Sequence, residues 1–312
     1  MKLQIKKQIT IEASAAAIYD RLVDFSKWSV WSPWTHIEPQ AKIEVTGAPA
    51  QAGHRQTWNG EVTGTGQMTL EQLEKNQKVN IDLQFLTPWK SSAKVVFSLS
   101  EIKSGTTSVT WAMDSSLPIF MFFFKNMMAA YIGADFERGL KNLKDYAETG
   151  AVPSRSEFLD IHPQEAFQVV GRRATCAIPE ISVVMRREYE KVGRDMQSGA
   201  LSKSARMGAL HHKFDIPKGI CEFTAGIFYG ESEKVLVPAG YELIKVPAHK
   251  SLRVDHYGAY RHLANPWSMV SAYLRGRKLK SRKDIAMYDV YVTMPDGRPE
   301  NEIYTQLFAP VK

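Results

Sequence analysis

The period of the apolar positions changes along the first half of the chain and predicts the order of its elements. Apolar residues at 3, 5, 9 and 11 alternate with polar ones and predict a first strand. Three more alternating stretches follow between about residues 40 and 113, separated by glycine, asparagine and proline turns. From Met121 to Ala147 the apolar positions recur every three or four residues, which predicts one long amphipathic helix.

These elements predict an α+β fold for the first half. Ser14 precedes a short apolar run and is predicted to cap the N-terminus of a helix. The predicted order is one strand, two short helices, about six antiparallel strands and a long last helix. The curved sheet can then bury one face only by packing against that last helix. We expect a cavity between the sheet and the helix that suits a small molecule.

The second half is predicted to repeat internally. Twice in this half, a predicted helix is followed by a predicted strand in which an acidic residue lies beside aromatic ones. The first of these strands contains Cys221-Glu222-Phe223, and the second contains Tyr288-Asp289-Val290-Tyr291. The small, polar residues 149–156 lie before the repeat and end the long helix. We therefore expect one domain over residues 1–150, a linker over 151–156 and a second domain over 157–312.

Composition supports two ordinary globular domains. A chain of 312 residues with 44% hydrophobic and 23% charged residues is neither disordered nor fibrous. Two cysteines, Cys176 and Cys221, cannot build a disulfide framework, which favours a reducing compartment. The apolar run at 117–124 is too short to span a bilayer, and residues 1–14 lack the apolar core of a signal peptide. We expect a soluble, cytoplasmic protein.

The net charge of +7 is concentrated in one segment, Arg275–Lys283, which holds six cations. One interpretation is a solvated loop at a helix C-terminus, where cations are favourable. The other is a contact surface for a protein or for phosphate groups. Aromatic residues that would stack on bases are absent from the segment, so nucleic acid is the less favoured partner and a protein partner stays open.

The first half resembles the SRPBCC superfamily, also called START-like or polyketide-cyclase-like. The resemblance rests on an ordered series that includes Trp31-Ser32-Pro33-Trp34, Gly64-Thr65-Gly66 and Gly139-Leu140-Lys141-Asn142-Leu143. It implies a helix-grip fold with a deep apolar cavity. Aromatic and methionine side chains are the candidate lining, with packing of the core as the alternative role: Trp31, Trp34, Trp58, Trp89, Met113, Phe124 and Met128.

The second half is similar to GyrI-like domains, which also serve as effector-binding modules of AraC- and MerR-type regulators. The similarity rests on Val237-Pro238-Ala239-Gly240-Tyr241, His256-Tyr257-Gly258-Ala259-Tyr260 and Tyr288-Asp289-Val290-Tyr291. It implies two pseudo-symmetric β-α-β-β modules around an aromatic cleft for a polar or cationic ligand. Asp289 stands where the family has a glutamate. The candidate cleft residues, which as an alternative are ordinary strand residues, are Glu222, Tyr229, Trp267, Tyr288, Asp289 and Tyr291.

Three functions remain open from the sequence. The first is a small-molecule-binding protein, acting as a sensor, carrier or sequestering factor, with an apolar ligand in the first domain and an aromatic or cationic one in the second. The second is an enzyme with cyclase- or hydrolase-type activity, in which Asp289 or Glu222 acts as a general base on water. The third is a macromolecular interaction protein similar to GyrI-like gyrase inhibitors.

The sequence predicts no cofactor and no metal site, and it assigns no catalytic residue. His211, His212 and Asp215 have metal-binding side chains, but no second cluster completes a shell, and CxxC and HExxH motifs are absent. No DNA-binding segment stands beside the second half, so a self-contained transcription factor is not expected.

Overall fold

The computed structural model describes residues 2–35, 37–88, 90–116, 119–202 and 206–312. The chain divides into two compact units, Met1–Val152 and Pro153–Lys312. Each unit consists of one antiparallel sheet and its own helices.

The first unit is a seven-stranded sheet in the order β1-β7-β6-β5-β4-β3-β2. Its strands are β1 (Lys2–Ile11), β2 (Lys42–Thr46), β3 (Arg55–Gly60), β4 (Gly64–Glu74), β5 (Lys78–Thr87), β6 (Ser91–Lys103) and β7 (Thr106–Ser116). Its helices are α1 (Ala15–Leu22), α2 (Trp28–Trp31) and α3 (Lys125–Thr149). The Ser14 hydroxyl accepts a hydrogen bond from the amide of Ala17 at 3.2 Å, so the predicted cap of α1 is confirmed.

Helix α3 runs beside β1 in the same direction. Glu137 pairs with Lys7, and Lys144 Nζ donates to the carbonyl of Thr10 at 3.1 Å further along both elements. Phe136 faces the sheet and stacks on Trp111 with ring centroids 4.1 Å apart. The mixed α+β class and the long helix packed on the first sheet are therefore confirmed.

The second unit is an eight-stranded sheet in the order β12-β9-β11-β10-β14-β15-β13-β8. Its strands are β8 (Ser154–Gln164), β9 (Phe167–Ala177), β10 (Arg206–Asp215), β11 (Ile220–Gly230), β12 (Glu242–Val246), β13 (His249–Gly258), β14 (Met287–Tyr291) and β15 (Tyr304–Val311). Its helices are α4 (Ile181–Gln197) and α5 (Ala264–Gly276).

The strand order of the second unit is symmetric about its centre. One half contains β9, α4, β10 and β11, the other contains β13, α5, β14 and β15, and the middle strands β10 and β14 pair with each other. The edge strands are exchanged, because β8 precedes the first half but pairs with β13, and β12 precedes the second half but pairs with β9. Each half thus completes the sheet of the other.

Residues 154–156, which the sequence assigns to a linker, form the start of β8. Arg155 pairs with Tyr257, and Ser156 pairs with His256 on β13. The small, polar composition of this segment predicts no strand. Backbone pairing at a sheet edge needs no apolar side chains, which is why composition misses it.

The two faces of the second sheet have different neighbours. On one face α4 packs against Phe223, Ala225 and Ile227, and α5 packs against Val254 and Leu307. The opposite face carries a cluster of its own, Val169, Leu210, Tyr288, Val290 and Phe308. We call these the helix face and the open face.

The basic segment Arg275–Lys283 begins at the end of α5. Arg277 lies over the ring of Tyr273 at 5.5 Å, and Arg282 forms a salt bridge with Asp284. Arg275, Lys278, Lys280 and Lys283 are exposed. The segment remains a candidate contact surface, and its partner remains a prediction.

We expect Phe136→Ala to lower the free energy of unfolding of the first unit by about 3–5 kcal/mol, because it removes a buried ring stacked on Trp111. Tryptophan fluorescence during a urea titration reports mainly the unfolding of this unit, since every tryptophan except Trp267 lies in it. Phe123→Ala is the control, because Phe123 is 87% exposed and should change stability by less than about 0.5 kcal/mol. Equal effects of the two substitutions would contradict this account of the core.

Candidate functional site

A buried carboxylate lies at the centre of the second sheet. Asp289 on β14 is only 1% exposed and pairs in register with Ala209 and Leu307, both on the helix face. Its Oδ1 accepts a hydrogen bond from the amide of Ala209 at 3.1 Å, and its Oδ2 lies 3.0 Å from His211 Nε2. These two contacts hold the carboxylate in place where the two halves of the sheet meet.

Aromatic side chains from both halves surround this carboxylate. Trp267 of α5 meets the His211 ring edge-to-face at 5.2 Å, and Tyr291 contacts the rings of Tyr189 from α4 and Tyr260 at 5.4 and 5.1 Å. We call these residues the Asp289 site: Tyr189, His211, Tyr260, Trp267, Asp289 and Tyr291.

The tyrosines of the Asp289 site stay protonated. Burial, and secondarily the negative charge of Asp289, raise the pKa of Tyr189, Tyr260 and Tyr291 above the ordinary value of a phenol. The Tyr189 hydroxyl donates to the carbonyl of Gly208 at 2.7 Å. Asp289 therefore provides the negative charge of a site whose other walls are neutral rings and one imidazole.

Three of the predicted cleft residues come together here, namely Trp267, Asp289 and Tyr291. Glu222 and Tyr288 point to the open face, because neighbouring residues of a strand alternate between faces. Glu222 accepts a hydrogen bond from Arg173 at 2.7 Å, and Tyr288 stacks on Phe308 at 4.7 Å. Tyr229 lies in another cluster of the helix face with Val192, and its hydroxyl accepts from the amide of Ser202.

Sequence reasoning missed Tyr189, His211 and Tyr260 as members of this site. Tyr189 lies on a helix far from Asp289 in the sequence, and only the packing of α4 brings it close. His211 is paired with Met287 in the register of β10 and β14, two residues from the pair of Ala209 and Asp289 and therefore on the same face. Its sequence signal, a His-His pair, is typical of metal sites and says nothing about Asp289.

Helix α4, which carries Tyr189, is held on the sheet by Glu188. This carboxylate is 4% exposed and accepts from Arg172 of β9 at 2.8 Å, from Arg187 at 2.9 Å and from Lys191 at 3.0 Å. Burial opposes ionisation of Glu188, but hydrogen bonds from the three cations outweigh it and lower its pKa to about 2. The position of Tyr189 therefore depends on an ionised neighbour.

In the first unit, Trp31 and Trp34 belong to a compact group of rings. Trp31 is fully buried, and its ring centroid lies 5.8 Å from that of Trp111. The ring centroid of Trp34 lies 5.7 Å from that of Trp111. Phe97 and Phe136 complete the contact with α3. These rings fill the space between the sheet and the middle of the helix.

The other described candidates of the first unit lie apart from these rings. Met128 is two turns before Phe136 on α3, and it is half-buried against the core. Met113 is buried, Trp58 is half-buried against Phe85 at 5.8 Å, and Phe124 is 51% exposed. Trp89 lies outside the described residues. Since α3 runs along β1, Met128 and Met113 lie toward the same end of the sheet, where apolar side chains are less completely buried.

The two cysteines face each other across β9 and β11. Their sulfur atoms are 3.4 Å apart, both are free thiols, and Cys221 is 1% exposed. Burial, together with the neighbouring Cys176, raises the pKa of the Cys221 thiol to about 12. The thiol of Cys221 is therefore protonated at neutral pH and a poor nucleophile.

Within the described ranges, the helices are all too short or too polar to cross a bilayer. The same residues contain no group of three or more histidine, cysteine, aspartate or glutamate side chains arranged to hold a metal ion.

Comparison with known proteins finds a family to which most of the first unit is similar. Residues 2–148 match the model of the family described as polyketide cyclase / dehydrase and lipid transport. This match confirms the polyketide-cyclase-like resemblance of the first half. No curated protein is similar to the chain in sequence.

Solved structures with a similar fold are remote in sequence. A protein from Chromobacterium violaceum is 13% identical and matches 47% of this chain and 98% of its own, with a TM-score of 0.37. The Aha1 dimer from Colwellia psychrerythraea is 21% identical over 47% of this chain and 98% of its own, with a TM-score of 0.36. A protein solved with bound tetraphenylphosphonium is 16% identical over 50% of this chain and 94% of its own, with a TM-score of 0.39.

We expect Glu188→Gln to destabilise the protein at pH 7 by roughly 1–3 kcal/mol, because it removes the buried carboxylate that accepts hydrogen bonds from three cations. The folded-state pKa is lowered from 4.5 to about 2, so the stabilisation by Glu188 is complete above pH 4.5 and is lost as the pH falls toward 2. The difference in free energy of unfolding between wild type and variant, measured by urea titration, should therefore be smaller at pH 3 than at pH 7.

Glu190→Gln is the matched control for this prediction, because Glu190 is exposed on the same helix. It should leave stability nearly unchanged at both values of pH. If Glu188→Gln lowered the free energy of unfolding by the same amount at pH 3 and at pH 7, the charge of Glu188 would not stabilise the fold.

Proposed function

We propose that the protein binds small molecules, and that the Asp289 site receives an organic cation with aromatic or flat groups. The observation that carries this proposal is a carboxylate with 1% exposure among the rings of Tyr189, Tyr260, Tyr291 and Trp267. The similarity of the second half to GyrI-like effector-binding domains supports the same ligand class. The role would be that of a sensor, carrier or sequestering factor.

Charge and desolvation favour a cation at this site. Asp289 has one neighbour able to carry positive charge, His211, among its described hydrogen-bond partners. The carboxylate is buried, and a low dielectric strengthens its attraction for a cation. The faces of tyrosine and tryptophan rings add cation–π attraction, which is stronger when the cation is desolvated.

The first unit supplies a second, apolar site in this proposal. The family whose model matches residues 2–148 is described as polyketide cyclase / dehydrase and lipid transport, and this description supports an apolar ligand. The half-buried Trp58 and Met128 lie near the end of the sheet where packing is less complete, and aromatic and methionine side chains adapt to irregular ligands. We assign the apolar ligand to this end of the first unit.

A hydrolytic enzyme is the second candidate function, favoured by the contact between His211 and Asp289. A carboxylate that accepts from Nε2 fixes the imidazole and leaves Nδ1 as a base for water, as in other carboxylate–histidine pairs. The predicted general base is then His211, with Asp289 as the residue that positions it.

We expect Asp289→Asn to weaken the binding of tetraphenylphosphonium by at least about tenfold, since it removes the charge but keeps the shape. The new side chain retains an oxygen for the amide of Ala209, so the fold should be preserved. Isothermal titration calorimetry on the full chain measures the affinity. Triphenylphosphine oxide, which is aromatic but neutral, should bind wild type and variant equally.

Glu222→Gln is the matched control for the cation test. It removes a carboxylate from a strand of the same sheet, but on the open face and paired with Arg173. It should leave the affinity for the cation unchanged. Equal losses with both variants, or no binding of the cation to wild type, would contradict the assignment of the site.

The hydrolytic candidate predicts turnover rather than stoichiometric binding. We expect an enzyme of this type to release many equivalents of product from small electrophiles such as esters or epoxides. Asp289→Asn should lower that rate by about 10²-fold or more, since the histidine loses the group that orients it. A rate that is unchanged in the double variant Asp289→Asn, Glu222→Gln would exclude both carboxylates from catalysis.

A further inference from the structure

A chain of hydrogen bonds crosses the open face of the second sheet. Thr224 Oγ1 donates to Glu242 Oε1 at 2.7 Å, and the same hydroxyl lies 2.7 Å from His212 Nε2. The three residues belong to β11, β12 and β10, and Thr224 is fully buried. We call this arrangement the His212 relay.

The relay depends on a glycine in the strand between its members. β9 lies between β11 and β12, and Gly171 of β9 pairs with Glu242. A Cβ atom at position 171 would lie 2.6 Å from Thr224 Cγ2. The absence of a side chain at Gly171 is therefore what allows Thr224 to reach across β9.

The relay fixes which nitrogen of His212 carries the proton. The Thr224 hydroxyl has a single proton and gives it to the carboxylate of Glu242, which has Arg173 3.8 Å from its other oxygen. Thr224 can then only accept from His212, so Nε2 is protonated. Burial, together with the charge of Arg173, lowers the pKa of His212 and keeps the ring neutral at pH 7. Nδ1 is left as a hydrogen-bond acceptor.

His212 also lines a small cavity. The register of β10 and β11 shifts between His211 and Lys213, so His212 is the extra residue of a β-bulge, a feature that re-aims side chains beside functional sites. The cavity has a volume of about 100 Å³. Its walls include Leu210, Ile244, Val246 and Ile285, and Lys245 and Asp284 also line it.

We propose that this cavity binds a small neutral molecule with an apolar body and one hydrogen-bond donor, of the class of short aliphatic alcohols, with the donor bound to His212 Nδ1. The volume of about 100 Å³ favours a ligand of only a few heavy atoms, since a cavity of about 150 Å³ is known to hold benzene. The aliphatic side chains of Leu210, Ile244, Val246 and Ile285 favour a ligand with an apolar body. The site lies on the opposite face of the sheet from Asp289 and has a different ligand chemistry.

The test compares two isomers with the same number of heavy atoms, 1-butanol and methyl propyl ether, of which only the alcohol has a donor. Titrations followed by NMR of the Ile244 and Ile285 methyl groups give both affinities. We expect the alcohol to bind at least tenfold more tightly than the ether. In Thr224→Val that preference should disappear, because the proton of His212 moves to Nδ1. Glu190→Gln, at an exposed position of α4, is the control and should keep the preference.

A second measurement needs no variant. Nitrogen-15 chemical shifts of the histidine rings in the wild-type protein distinguish the two neutral tautomers. A proton on Nε2 of His212 at pH 7 supports the proposal, and a proton on Nδ1 overturns it. Equal affinities for alcohol and ether in the wild type, or shifts confined to methyl groups outside the cavity, would also overturn it.

Discussion

The pairing of β10 with β14 is the constraint on which the chemistry of the second unit depends. This register places Asp289 beside Ala209 and brings His211 to Oδ2 of Asp289. It also joins the two halves of the sheet, so that α4 and α5 lie on one face and each contributes a ring to the same carboxylate. A shift of one residue would move Asp289 to the open face and away from the amide of Ala209 and from His211.

Much of the fold follows from local patterns in the sequence. Alternation at Val79, Ile81 and Leu83 predicts a strand with one buried face, and the 3.6-residue period after Met121 predicts α3. Strand β8 does not follow, because it is a polar edge strand whose stability comes from backbone pairing with β13. Its exchange with β12 depends on contacts between residues far apart in sequence, which no local pattern records.

The candidate site is predicted only in part, for a similar reason. The acidic and aromatic strand around Asp289 is visible in the sequence, but the partners of Asp289 are set by strand order and helix packing. The same strand residues divide between two faces, which separates Tyr288 from Asp289 and Tyr291. In the first unit, the sequence groups Trp31 with Met128 as aromatic and flexible residues. Packing assigns Trp31 to the rings under α3 and leaves Met128 at the looser end.

The adjacent histidines of β10 show how one strand supplies two kinds of binding group. His211 and His212 both have Nε2 directed at an oxygen of the protein, Asp289 Oδ2 on one face and Thr224 Oγ1 on the other. On the helix face that oxygen belongs to a carboxylate that lies among tyrosine and tryptophan rings, which is why we propose a cation there. On the open face the carboxylate bound through Thr224 is Glu242, which lies beside Arg173, and His212 itself lines the cavity as a neutral imidazole. The two proposed ligand classes therefore differ because of where the carboxylate is placed, and not because of the histidines themselves.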